Sequence, residues 1–229
     1  LRAILAGDYL LGRSSELASA LGTEVAGILA TTITELCEGQ ILELESAYDP
    51  DRSLDTYERS ISGKTASLLA TACRIGAIVG DLPRPVVESM TEFGEAYGMA
   101  FQVVDDILDI IATDQQLGKP AGNDLIEGIY ALPTIHALAD PVIGPQLRPM
   151  LTEDITHDQR DRARELIRES DGVRIALDVA QSWADKAAAT LTDLPDTPGA
   201  RALRAAADHL IERAAAPVSY THLRAHETA

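Results

Sequence analysis

The sequence of 229 residues predicts an all-α protein, a bundle of mostly antiparallel helices around a central cavity. Aromatic residues make up only 4% of the chain and period-two alternation is nearly absent, so strands have little to build on. Apolar residues recur instead every three or four positions, the spacing of one helix face. The hydrophobic content of 46% is enough to fill one large core.

Leu1 to Leu17 reads as the middle of a helix with no cap before it, so a chain truncated at its front is expected. From Thr23 the residues Val25, Leu29, Ile33, Cys37, Ile41 and Leu44 mark one face of a long helix that stops before Asp49-Pro50. A second long helix starts at Ser53 or Asp55 and runs to about Val79, where Gly80-Asp81-Leu82-Pro83 ends it. A third begins after Pro85 and continues to about Thr113. Met90, Phe93, Tyr97, Phe101, Val104 and Leu108 recur along it, and its hydrophobicity on several sides predicts a central position. A looser segment, Gly118 to Gly128, follows. Helices resume from Pro133, Thr156 and Asp171, and a last one spans Pro198 to about Ala215. After Ala216 the composition changes abruptly and helical periodicity is lost. Residues 1–216 are therefore expected to form the domain and 217–229 a foreign, cloning-derived or disordered tail.

Acidic residues number 36 against 19 basic, a formal charge of −17. That field opposes nucleic acid and anionic membrane surfaces, and an anionic substrate needs placed cations or a metal ion to approach. Cys37 and Cys73 are too few for a disulfide framework, and no uninterrupted apolar run reaches the ~18 residues of a membrane span. A cytoplasmic protein without a membrane span is the expectation.

The chemistry concentrates in Phe101-Gln102-Val103-Val104-Asp105-Asp106-Ile107-Leu108-Asp109. On a helix, Asp109 is an i,i+4 neighbour of Asp105 and an i,i+3 neighbour of Asp106, so the three carboxylates are expected to converge. Surrounded by Val103, Val104, Ile107, Leu108, Ile110 and Ile111, they require a cation to offset their repulsion and desolvation. A hard divalent ion with oxygen ligands meets that need, magnesium above all if a phosphate shares its coordination sphere. Lys119, in Gly118-Lys119-Pro120, is a flexible point charge suited to diphosphate, as is Lys64 in Gly63-Lys64-Thr65; taken singly, each is as readily an ordinary loop or surface lysine.

Together with Leu5-Ala6-Gly7-Asp8-Tyr9-Leu10-Leu11, Glu38-Gly39-Gln40, Asp124-Leu125-Ile126-Glu127-Gly128 and Leu132-Pro133, these segments resemble the trans-type polyprenyl diphosphate synthases. The resemblance implies an isoprenoid synthase-like fold and a prenyltransferase that condenses an allylic diphosphate with isopentenyl diphosphate. It implies that Asp105, Asp106 and Asp109 hold Mg2+ bridging to diphosphate, that Lys64 and Lys119 contact the allylic diphosphate, that Thr65 and Gln102 support them, and that the enzyme is a homodimer. Two departures stand out. No second Asp-Asp-x-x-Asp occurs, although the family carries a first aspartate-rich motif on an earlier helix, and Ile129 stands where the family often has lysine. A front-truncated synthase, inactive as this fragment alone, is the leading expectation. A non-catalytic partner subunit of a heteromeric prenyl synthase and a class I terpene cyclase are the alternatives.

Overall fold

The computed structural model describes the backbone of residues 1–118 and 120–226, and the side chains of that range up to residue 214. No strand occurs among the described residues. Helix α1 (Arg2–Ala20) leads through Gly22 into α2 (Thr23–Glu45). Ser53 then caps α3 (Leu54–Ile61) by accepting the Thr56 amide at 3.1 Å, which satisfies one of the donors a helix start leaves open. Where the sequence predicts one uninterrupted helix to Val79, the chain passes from α3 through a single π-helical turn, Ser62–Ala66, into α4 (Ser67–Val79).

Helix α5 (Arg84–Ile111) is the central element, as its periodicity predicts. It packs most extensively on α4 and α11 (Gly172–Thr190), and also touches the π turn, α8 (Leu132–Ala139), α10 (His157–Glu169) and α12 (Pro198–His226). A Cβ on Gly98 would lie 2.6 Å from the Cα of Ala66, so only glycine lets α5 approach the π turn this closely. Val103, Val104 and Ile107 of α5 are buried with Tyr57, Leu125, Tyr130, Leu166 and Ile167 in the main core. Fully burying each such aliphatic side chain contributes about 1.5–3 kcal/mol.

The C-terminus of α5 has no basic residue of its own in its last turn. Two guanidiniums from α10 supply what it lacks: Arg164 donates to the carbonyls of Ile110 and Ala112 at 3.1 and 2.6 Å, and Arg168 donates twice to Ile110 at 3.0 and 2.7 Å. Cations at the negative end of a helix dipole stabilise it, and here they fix the turn that carries Asp109.

The looser segment contains two single-turn helices, α6 (Asp114–Leu117) and α7 (Asn123–Ile126). A further short turn, α9 (Gly144–Leu147), runs into a 3₁₀ turn (Arg148–Met150) before α10. Thr156 and Gln159 form a capping box at the start of α10, at the position the sequence predicts. The backbone of α12 continues as helix to His226, past the boundary expected at Ala216.

Helix α2 is long and apolar enough, by length and composition, to cross a membrane. In this fold it sets Val25, Thr32, Gly39 and Glu43 inward and packs on α1, α3, the π turn and α4. Its Ile41 and Leu44 are exposed, as are Leu5, Tyr9 and Leu10 of α1. An open groove of about 1140 Å³ runs along the bundle, bordered by Thr32, Glu35, Gly63, Thr71 and Met99.

Candidate active site

The site is built around the π turn. α2 crosses it so closely that a Cβ on Gly39 would lie 2.5 Å from the Lys64 amide nitrogen, and one on Gly63 would lie 2.6 Å from the Glu35 carbonyl oxygen. The extra residue in a π turn shifts the side chains that follow it, and such turns recur at functional sites. Here it aims Lys64 toward α2 and Thr65 toward α5.

On the α5 side a hydrogen-bond chain, half-buried at one end and buried at the other, runs through four side chains. Thr65 Oγ1 donates to Gln102 Oε1 at 2.7 Å, Gln102 Nε2 donates to Asp106 Oδ1 at 2.9 Å, and the Tyr57 hydroxyl donates to Asp106 Oδ2 at 2.6 Å. Asp106 is only 5% exposed. Its carboxyl is raised to about 7: burial pushes it up most, the bonds from Tyr57 and Gln102 pull against that rise, and the neighbouring charge of Asp105 adds to it. The Tyr57 phenol is held well above its ordinary value, first by burial and then by Asp106. Arg52 lies over the Tyr57 ring at 5.5 Å and donates to Ser60 Oγ at 2.5 Å and to the Tyr130 carbonyl at 3.3 Å. Burial lowers the pKa of Arg52, while Glu43, Tyr57 and Asp106 act to raise it.

On the α2 side Lys64 Nζ pairs with Glu43 Oε1 at 2.5 Å. Gln40 donates to the same carboxylate oxygen at 3.1 Å.

Of the residues singled out in sequence, Lys64, Thr65, Gln102 and Asp106 meet around this turn. Asp109, 2% exposed, faces the loop beyond α5, where its Oδ2 accepts the Asp124 amide at 3.3 Å and its carbonyl accepts the Gly122 amide at 2.9 Å. Asp105 is half-buried. The expected convergence of all three carboxylates does not occur: among the described residues no three His, Cys, Asp or Glu side chains gather closely enough to hold a metal ion by themselves. The i,i+3 and i,i+4 spacings bring the Cβ atoms together, but Asp106 is turned to Tyr57 and Gln102 and Asp109 to the following loop. None of the six described candidates lines the large groove, which reaches the site at Gly63 and Met99. Lys119 lies outside the described residues. Tyr57, Glu43 and Arg52 escape the sequence reading, because their partners lie on other helices.

The polyprenyl synthetase family model matches residues 1–169. The chain belongs to the polyprenyl synthetase family. A polyprenyl synthetase component of Bacillus subtilis, heptaprenyl diphosphate synthase component 2, is 34% identical over 212 residues, 92% of this chain and 61% of that relative. Nonaprenyl diphosphate synthase of Mycobacterium tuberculosis is 38% identical over 215 residues, covering 92% and 64%. The crystal structure of a Caulobacter crescentus polyprenyl synthase complexed with calcium and isoprenyl diphosphate superposes with a TM-score of 0.87 at 33% identity, over 92% of this chain and 65% of that one. This polyprenyl synthetase chain thus spans somewhat less than two thirds of the length of each of these three relatives, and its all-α bundle is the one found in the solved structure.

Proposed function

We propose that the chain takes part in prenyl chain elongation: it binds an allylic diphosphate, assists departure of the diphosphate, and shields the allylic cation while isopentenyl diphosphate attacks it and loses a proton. The observation that carries this reading is the gathering of Lys64, Thr65, Gln102 and Asp106 around one π turn in a polyprenyl synthetase chain. Lys64, with Lys119 from the Gly-Lys-Pro loop, neutralises charge that grows on the departing diphosphate, stabilising the ionisation transition state more than the bound substrate. Thr65 and Gln102 orient the polar rim. Apolar residues of α5 exclude water from the cation.

The donor set suits magnesium, which usually keeps several waters and takes one or two carboxylates plus phosphate oxygens. Asp105, half-buried, is the acid of the trio fitted to hold it directly. Asp106 and Asp109 stand behind it, already engaged by protein groups. Bound there, the ion supplies Lewis-acid stabilisation of the leaving diphosphate. Mixing the complete enzyme with an allylic diphosphate and isopentenyl diphosphate should consume the latter, and chelating the divalent metal should stop consumption. Consumption that continues unchanged after chelation contradicts the metal reading; no consumption at all contradicts the activity.

The name of the Bacillus relative, a component 2, favours a second reading in which the chain works as one subunit of a two-component synthase rather than as a homodimer. Copurification with a different subunit that is required for turnover would select it.

A further inference from the structure

Glu43 is a carboxylate in an uncommon place. Its side chain is 8% exposed on α2, where an acid persists only if neighbouring groups compensate it. Oε1 accepts from Lys64 at 2.5 Å and from Gln40 at 3.1 Å, and the Arg52 guanidinium feels its field. Lys64 is 36% exposed and rises from a backbone pinned by the Gly39–Gly63 crossing. A pair between two exposed, mobile side chains constrains neither; here the acid is fixed by burial and by a second donor, so the lysine is the partner that becomes ordered. An ammonium has three N–H donors. One is engaged by Glu43 and two remain for a ligand.

We infer that Glu43 is a positioning residue, holding Lys64 extended so that its remaining donors meet a diphosphate oxygen without the lysine stem having to be ordered on binding. This rests on the diphosphate reading of Lys64 given above. Lysine stems are rich in rotamers, and ordering one when the ligand arrives weakens binding. The sequence offered no sign of this role, because Glu43 and Lys64 are 21 residues apart on different elements.

The test titrates the chain with inorganic diphosphate in magnesium chloride, following heat on binding, with thermal unfolding of each variant measured alongside. Glu43→Asp keeps the charge and withdraws the acceptor by one methylene; binding should weaken about three- to tenfold, the ordering cost of one rotamer-rich side chain. Glu43→Gln keeps an acceptor at full reach and should recover most of that loss. In a Lys64→Ala background, Glu43→Asp should cause no further weakening. Wild-type affinity in Glu43→Asp overturns the inference, as does a loss that follows charge rather than reach, or one that persists without Lys64. If wild type and Lys64→Ala bind diphosphate equally, or neither binds, the diphosphate reading of Lys64 fails and the role of Glu43 falls with it.

Discussion

The two flanks of the π turn handle their polar groups in opposite ways. Toward α5, Thr65 opens a chain of hydrogen bonds that ends on a buried acid and a buried phenol. Toward α2, Lys64 meets a single acid and leaves its remaining donors toward solvent. One five-residue turn therefore presents a fixed group and an available one side by side. The fixed flank belongs to stability, because its groups satisfy one another and removing the Tyr57 hydroxyl strands a desolvated carboxylate oxygen. The available flank, with half-buried Asp105 nearby in sequence, is the one that the proposed function gives to the ligand.

The largest effect that separates the two flanks is expected at Asp105. In the complete enzyme Asp105→Ala should lower turnover by orders of magnitude, the scale on which transition-state charge stabilisation acts, while circular dichroism reports unchanged helicity. An enzyme whose magnesium-dependent turnover survives the change would remove Asp105 from the ligand side of the comparison.

Next in size is Tyr57→Phe. The phenol is buried and its hydroxyl donates to a buried carboxylate, so deleting it should cost about 1–3 kcal/mol in denaturant unfolding of the chain. A cost near zero would mean that Asp106 finds another donor, and the fixed flank would no longer be distinguishable from the open one.

The sequence exposes these two flanks unequally. Asp105, Asp106 and Asp109 stand out because acids in an oily helix are costly wherever they point, and α5 is recognisable because its periodicity is strong over 28 residues. The direction of each carboxylate is not legible, since spacing fixes Cβ atoms and partners fix the rest. Tyr57 and Asp106 are 49 residues apart, and the arginines that cap α5 come from 52 to 58 residues downstream. The π turn leaves no mark either. Ser62–Ala66 has helix-compatible composition, and one added residue per turn alters which face a side chain occupies without altering the pattern that predicts a helix. Residues 198–226 are the converse case: periodicity fades after Ala216, yet the backbone continues as helix.

The finest distinction lies at Thr65, which belongs to the fixed flank but sits at its open end. Thr65→Val preserves shape and removes one donor, leaving Gln102 Oε1 in a half-buried place that water reaches. The expected cost is about 0.5–1.5 kcal/mol, below that of Tyr57→Phe, because Gln102 and Asp106 keep their mutual bond. If the chain acts as one unit, combining Thr65→Val with Tyr57→Phe should give a total that departs from the sum by more than about 0.5 kcal/mol, the margin within which independent sites add. Strict additivity would mean that the Thr65 hydroxyl is decoupled from the buried acid, and that the boundary between the fixed and available flanks runs between Thr65 and Gln102 rather than between Lys64 and Thr65.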